Sequence, residues 1–163
     1  MKHIASDKSL SFLSAVQDVD IQPNAVDLRL GKVFKIRNKM FLIDEEQKQH
    51  RGSTEVEVSP DGYYTLFPGS YEVIMENEIQ VANGEAGWVI TRSTLNRNGV
   101  FLTSGLYDSG YHGVMAGVMH VTVDVVKIKP GTRIGQYLNF ESETLRLYKG
   151  DYGKGKEHDK KYG

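Results

Sequence analysis

The chain contains no cysteine, and this absence removes several classes of protein at once. Disulfide bonds, cysteine nucleophiles and zinc sites built from cysteine ligands are all excluded. Its five histidines are scattered, without the close pairing that a histidine metal site needs. No apolar run approaches the length of a membrane span, and residues 1–3 show no signal peptide. We therefore expect a soluble protein of the cytoplasm, or of the host cytoplasm if the source is a virus.

The chain also has little proline and almost no net charge. Proline occurs 4 times against 17 glycines, and 20 basic residues face 21 acidic ones. The net charge of -1 creates no overall field that would attract nucleic acid or an anionic membrane. We therefore expect neither as a partner, and any site for an anion must be local.

Short apolar runs separated by turn residues are typical of an all-β protein. Residues 33–43 and 118–128 are predicted strands, the second rich in β-branched side chains. Residues 63–67 and 71–75 are also predicted strands, on either side of a turn at Pro68.

Helical signals are few. Residues 9–16 and 92–97 are the two segments predicted to be helical, and residues 44–62 are predicted to form a long exposed loop. For a chain of 163 residues, this pattern predicts one all-β domain, a distorted jelly roll with one or two short helices.

The end of the chain differs from the rest in composition. Residues 148–163 contain five lysines and four glycines and have no apolar periodicity. Such a segment cannot build a core of its own. The sequence therefore predicts a β domain over residues 1–147 and a flexible C-terminal arm over residues 148–163.

One glycine-rich segment, residues 105–113, carries the clearest chemical signal. It reads Gly-Leu-Tyr-Asp-Ser-Gly-Tyr-His-Gly, with Asp108 at its centre and Tyr111 three positions later. A carboxylate in a turn can act as a general base or a metal ligand, and a nearby ring can stack on a sugar or a base. An ordinary hairpin would also use aspartate and glycine, so this segment alone does not decide the function.

Other segments accompany it along the chain. They are residues 21–31 (containing Val-Asp-Leu-Arg-Leu-Gly), 64–69 (Tyr-Thr-Leu-Phe-Pro-Gly), 91–97 (Thr-Arg-Ser-Thr-Leu-Asn-Arg), 131–136 (Gly-Thr-Arg-Ile-Gly-Gln) and 148–153 (Tyr-Lys-Gly-Asp-Tyr-Gly). In this order and spacing they resemble the superfamily of dUTP diphosphatases and dCTP deaminases. The resemblance covers about residues 21–153. It implies the β-clip form of the jelly roll, homotrimers with sites at subunit boundaries, and a C-terminal arm that closes over phosphates.

The resemblance also implies roles for individual residues. Asp108 corresponds to the catalytic carboxylate, which activates water against the α-phosphorus of a deoxynucleoside triphosphate, and Mg2+ is implied mainly through phosphates and water. Guanidinium, hydroxyl and amide donors suit phosphate oxygens. The implied substrate-binding residues are Arg92, Ser93, Thr94, Arg97, Ser104, Gly105, Leu106, Tyr111, Gln136, Tyr148, Lys149 and Lys154.

The two branches of the superfamily share a scaffold but catalyse different reactions. Its deaminases use a glutamate ten residues after the motif aspartate and an arginine two residues before it. Those positions hold Val118 and Leu106 here, and neither side chain can move a proton or carry a charge. The substitutions favour a dUTP diphosphatase, which forms dUMP and pyrophosphate.

Several alternatives stay open at this point. The chain could be a dCTP deaminase, a bifunctional deaminase and diphosphatase, or a dCTP diphosphatase. A non-catalytic nucleotide-binding regulator is more distant. The intact Arg92, Ser93, Asp108 and Tyr111 argue against a regulator, whereas Asp151, where deaminases usually have glutamine, argues slightly for one.

Overall fold

The computed structural model describes residues 1–163, and nearly all its regular structure is strand. The strands are β1 (Phe12–Leu13), β2 (Val26–Ile36), β3 (Leu42–Ile43), β4 (Lys48–Gln49), β5 (Ser53–Glu55), β6 (Tyr64–Leu66), β7 (Gly69–Gln80), β8 (Glu85–Thr91), β9 (Val100–Thr103), β10 (His112–Val121), β11 (Val126–Ile128) and β12 (Arg133–Glu141). The one α-helix, α1, spans Ser93–Asn96, and short 3-10 turns span Asp18–Asp20 and His158–Tyr162. The predicted all-β jelly roll with short helices is confirmed. No helix is long and apolar enough to cross a membrane.

One antiparallel sheet of eight strands organises the molecule. Its order is β8-β12-β2-β7-β10-β9, with β1 added to β7 and β5 added to β2. The two ends of this order approach each other, because Thr91 Oγ1 on β8 donates to the carbonyl of Leu102 on β9 and accepts from its amide. The sheet is therefore almost closed around its core, as in a jelly roll.

Strand β2 turns the sheet through a corner. Its first half pairs with β12, and its second half pairs with β7 after a bulge between Leu30 and Lys32. Gly31 lies at this bulge, where an added Cβ would come within 2.8 Å of the carbonyl oxygen of Ile74. Only glycine allows the two backbones to approach this closely.

The core fills the space inside this bent sheet. Alternating residues of β2, β7, β10 and β12 supply most of it, as expected for strands with one buried face. Its fully buried members include Val26, Leu28, Leu30, Val73, Met115, Met119, Ile134 and Tyr137.

The predicted helix at residues 9–16 is wrong. This segment contains β1, in which Leu13 pairs with Ile79 of β7. Its serines explain the difference: the hydroxyl of Ser14 accepts from the amide of Glu78, and those of Ser9 and Ser11 donate to Glu85. Such side-chain bonds compete with helical backbone bonds. The helix predicted at residues 92–97 is confirmed by α1.

Two of the predicted strands have different limits. The strand expected at 33–43 begins at Val26 and ends at Ile36. The run 118–128 is broken after Val121, where the hydroxyl and amide of Thr122 both donate to the carbonyl of Gly99 and start a turn. The segment 44–62 is mostly exposed, as expected, but contains the short strands β4 and β5.

Candidate active site

The glycine-rich segment joins β9 to β10 and presents alternate residues to opposite sides. Tyr107, Ser109 and Tyr111 are buried, whereas Leu106 and Asp108 are exposed. The amide of Tyr111 donates to the carbonyl of Asp108 at 3.0 Å and closes the turn. The turn therefore places the Asp108 carboxylate in solvent while the residues on either side of it anchor the backbone.

A buried carboxylate supports the base of this turn. The hydroxyl of Ser109 donates to the carbonyl of Glu85 at 2.5 Å, and the Glu85 side chain is only 1% exposed. Burial alone would raise the pKa of Glu85, but donors on Ser11, Asn139, Leu10 and Ser9 outweigh it and lower this pKa to about 2. Glu85 is thus a charged structural centre rather than a proton carrier near neutral pH.

A cavity of about 510 Å³ lies beside the turn, on the side of Tyr111. Its wall from the turn and β10 consists of Gly105, Leu106, Tyr107, Tyr111, Ala116, Gly117 and Val118. The C-terminal segment contributes Tyr148, Tyr152, His158, Asp159, Lys161 and Tyr162. We call this space the ring cavity, because its aromatic and apolar walls suit a flat ring and a sugar.

A second cavity, of about 730 Å³, contains Asp108 and is called the carboxylate cavity. Leu106 and Tyr148 line both cavities, so the two cavities share a boundary at the exposed turn. Two cations, Arg146 and Lys149, also line the carboxylate cavity. Sequence analysis missed Arg146, although its position two residues before Tyr148 was a signal that could have identified it.

The structure brings together only part of the predicted site. Gly105, Leu106, Asp108, Tyr111, Tyr148 and Lys149 line the two cavities around the turn. Ser104 lies at the start of the turn, where its hydroxyl donates to the carbonyl of Gly105 and accepts from the amide of Val89. Lys154 is close in the backbone, because its amide donates to the carbonyl of His112, but its amine lies 3.7 Å from Glu78.

The remaining predicted residues form a separate group at the end of β8. Ser93, Thr94 and Arg97 are exposed on α1 or directly after it. Arg92 and Gln136 converge instead on the buried carboxylate of Asp27, which also meets Arg133. The Asp27 oxygens lie 3.4 Å from Arg92 Nε, 3.2 Å from Arg133 Nη1 and 3.0 Å from Gln136 Nε2.

Asp27 is therefore a residue of the candidate site that sequence analysis did not single out. It is fully buried, its two oxygens accept hydrogen bonds from Arg133 and Gln136 of β12, and it forms an ion pair with Arg92. A buried carboxylate with these partners fixes the side chains that surround it. Its position in an apolar strand, Val-Asp-Leu-Arg-Leu, was the available signal.

The two groups lie far apart within one chain. Gly87 of β8 pairs with Tyr107, next to Asp108, whereas Arg92 follows β8 five residues later. At the usual rise of a strand, this spacing places Arg92 about 15–20 Å from Asp108 along the sheet. In one chain the arginine-serine pair therefore forms a group of its own and lines neither the ring cavity nor the carboxylate cavity.

The C-terminal segment packs over the ring cavity. Gly153 lies on Gly113, where an added Cβ on Gly113 would come within 2.8 Å of the Gly153 Cα. Tyr162 donates to Glu72, which also binds Lys161 at 2.8 Å. These contacts describe the segment in place on its own chain, and its role as an arm over phosphates stays a prediction.

No three histidine, aspartate or glutamate side chains come together in a way that could hold a metal ion. The protein residues alone therefore do not form a metal site. A single exposed carboxylate such as Asp108 suits a divalent ion that arrives with phosphates and keeps most of its water.

Comparison with known proteins places this arrangement in a family. The model of the dCTP deaminase-like family matches residues 2–142. This chain belongs to the dCTP deaminase-like family. Within it, the chain is 31% identical over 136 residues to a probable deoxyuridine 5'-triphosphate nucleotidohydrolase of Aeropyrum pernix, covering 81% of this chain and 84% of that protein. It is also 32% identical over 148 residues to a dUMP-forming dCTP deaminase of Kocuria rhizophila, covering 82% and 74%.

Solved structures agree on the fold of this family member. A 2'-deoxycytidine 5'-triphosphate deaminase of Agrobacterium tumefaciens superposes with a TM-score of 0.59 at 18% identity, covering 79% of this chain and 42% of that one. A native EIAV dUTPase gives a TM-score of 0.53 at 14% identity, covering 88% and 97%. Both kinds of enzyme thus have this fold, and the site has to distinguish between them.

Proposed function

We propose that this chain hydrolyses dUTP to dUMP and pyrophosphate. The observation that carries the proposal is the position of Asp108, an exposed carboxylate that lines the carboxylate cavity two residues after Leu106, which borders both cavities. A nucleoside in the ring cavity would direct its α-phosphate toward this boundary. The name of the Aeropyrum pernix relative supports the same reaction.

Asp108 acts as the general base in this proposal. Its carboxylate accepts a proton from a water molecule, whose oxygen attacks the α-phosphorus in line. The bond from the α-phosphorus to the bridging oxygen breaks, and pyrophosphate leaves with that oxygen. Tyr111, whose ring lines the ring cavity, packs against the deoxyribose, where a 2'-hydroxyl would clash. The backbone of Ser104–Leu106 binds the edge of the base. No covalent intermediate is needed.

The leaving pyrophosphate needs cations and donors. Lys149 and Arg146 line the carboxylate cavity on the same chain. We propose that Arg92, Ser93, Arg97 and Gln136 come from a neighbouring chain, because within one chain they line neither of the two cavities around the turn. An oligomer with sites between subunits follows, and we propose a homotrimer. A cytoplasmic location is part of the same proposal.

A divalent ion is expected with the substrate. Bound to the triphosphate, it neutralises part of the charge that an attacking water must approach. We propose that this ion is Mg2+ and that its protein contacts are limited, because the chain offers no group of three ligands.

The second candidate is deamination of dCTP, and the relative in Kocuria rhizophila favours it by name. The ring cavity argues against it. Val118 lines this cavity and Leu106 borders it, at the two positions where the deaminases have glutamate and arginine. A cavity with valine and leucine at those positions has no group there to move a proton to the amino group of cytosine.

Incubation with each deoxynucleoside triphosphate and Mg2+ tests the proposal, with products separated as monophosphate, pyrophosphate or deaminated triphosphate. We expect dUMP and pyrophosphate from dUTP. Formation of dUTP from dCTP would identify a deaminase, and dCMP from dCTP would identify a dCTP diphosphatase. Nucleotide binding without any product would identify a regulatory member.

A further inference from the structure

Strand β10 is irregular where it borders the ring cavity. Its pairing with β7 shifts between Val114 and Ala116, which marks a bulge, and its pairing with β9 begins only at Val118. Ala116 therefore has no strand partner on the β9 side, although it lines the cavity. A backbone amide and carbonyl inside a protein need partners from elsewhere.

Tyr107 supplies both partners with one hydroxyl. Its O–H group donates to the carbonyl of Ala116 at 2.8 Å, and its oxygen accepts from the amide of Ala116 at 3.0 Å. Tyr111 binds the other side of the bulge, where its hydroxyl donates to the carbonyl of Val114 at 2.8 Å. Two tyrosines of the turn therefore hold the bulge of β10, in place of a neighbouring strand.

The rest of Tyr107 is also held. Its amide donates to the carbonyl of Gly87 at 2.7 Å, and its carbonyl accepts from the amide of Gly87 at 3.1 Å. Its ring meets those of Tyr111 and Tyr137 edge-on, at centroid distances of 5.4 and 6.0 Å. Burial raises the pKa of Tyr107, so its hydroxyl keeps its proton and stays a donor near neutral pH.

We propose that Tyr107 is a positioning residue for Asp108. The two bonds to Ala116 fix the backbone of the turn against β10 and thereby set the distance of the Asp108 carboxylate from a nucleotide in the ring cavity. The inference rests on the proposed function, in which Asp108 is the base.

The variant Tyr107→Phe tests this role, because it keeps the ring and removes only the hydroxyl. We expect kcat for dUTP to fall about tenfold to a hundredfold with KM within about twofold, since a small displacement of a catalytic group costs rate more than binding. Tyr64→Phe is the matched control. Tyr64 is similarly buried, and its hydroxyl donates to the carbonyl of Gly31 at 2.9 Å, away from both cavities. We expect Tyr64→Phe to lower the melting temperature and leave kcat unchanged.

Wild-type protein and Asp108→Asn are measured in the same series. A Tyr107→Phe variant with wild-type kcat would overturn the positioning role, as would equal losses of kcat in the two phenylalanine variants. Failure of Tyr107→Phe to fold while Tyr64→Phe folds would make Tyr107 a purely structural residue and would also overturn it. Absence of dUTP hydrolysis by the wild type would instead contradict the proposed function.

Discussion

Two carboxylates close to one turn have opposite environments, and this difference separates their roles. Asp108 is exposed and has no cation within ion-pair distance, so it is free to meet water and substrate. Glu85 is buried below the same turn and accepts from several hydroxyl, amide and backbone donors. The proposed function gives the chemistry to Asp108, whereas the contacts of Glu85 support the turn.

Replacing Asp108 by asparagine should abolish most turnover without affecting the fold. The amide keeps the shape of the side chain but cannot take a proton, and general-base catalysis contributes about a hundred- to ten-thousand-fold. Steady-state kinetics, nucleotide binding and thermal unfolding of the same sample measure this. The control is Asp124→Asn in an exposed turn after β10, which should behave as wild type. Near-normal turnover of Asp108→Asn would remove it from the role of base.

Glu85 should make the stability of the fold depend on pH in the acidic range. Its pKa in the folded protein is about 2, below its ordinary value of 4.5. A lowered pKa stabilises the folded state above the ordinary value, and this stabilisation is lost as the pH falls from about 4.5 toward 2. The contribution at neutral pH is roughly 3 kcal/mol, taken from the difference between the two pKa values.

Denaturant unfolding of wild type and Glu85→Gln at pH 7 and pH 3 measures this contribution. The glutamine side chain of the variant has no charge to lose, so we expect the variant to be less stable at pH 7 and the gap to narrow at pH 3. A gap that is equal at both values would show that the charge of Glu85 does not contribute.

The sequence singles out residues that belong to motifs and misses those whose importance comes from packing. The spacing of a glycine-rich turn pointed to Asp108 and Tyr111, whose roles stay predictions. Asp27, Glu85 and Arg146 were not, because their importance comes from partners distant along the chain, such as Ser11 and Asn139 for Glu85. Sequence spacing carries no signal for contacts of this kind.

Among the elements, strands were easier to predict than their limits. The apolar runs identified β6 and the part of β7 at residues 71–75, although β7 continues to Gln80. Residues 9–16 misled the prediction because their serines bind Glu85 and Glu78, which lie more than sixty positions away. A tertiary contact decided the local conformation in this segment.

The C-terminal segment should matter more for catalysis than for folding. A truncation after Gly150 keeps Tyr148, whose ring packs against Tyr111 at 5.5 Å, and removes the residues that cover the ring cavity. Loss of a cover should lower kcat/KM for dUTP. The melting temperature should fall only slightly, because the residues removed contribute little to the core. Sizing on the same sample checks the oligomer.

Two outcomes would contradict this prediction in different ways. Unchanged kinetics in the truncated protein would rule out a role of the segment as a cover. Dissociation of the oligomer would show that the segment holds subunits together instead. The variant Lys48→Gln perturbs the segment without removing it, because Lys48 pairs with Asp151 at 3.0 Å and connects the segment to β4.

For the whole molecule, the separation of Asp108 from Arg92 predicts that a complete site needs two chains. Two variants, Asp108→Asn and Arg92→Gln, should each be nearly inactive alone. When they are mixed in equal amounts, dissociated and reassembled, some sites combine an intact Asp108 from one chain with an intact Arg92 from its neighbour. Random assembly gives about a quarter of the sites this combination, and we expect about a quarter of the wild-type activity to return.

Two controls are needed before a recovery of activity can be interpreted. Each variant reassembled alone must stay inactive, and the mixture must have the same oligomeric size as the wild type by sizing. If the two residues acted on one substrate within a single chain, no mixture could restore activity, because every chain would carry one damaged residue. Recovery of activity would therefore require a site shared between subunits. Such a site is expected because Arg92 follows β8 about 15–20 Å from Asp108, at about 3.3 Å per residue of strand.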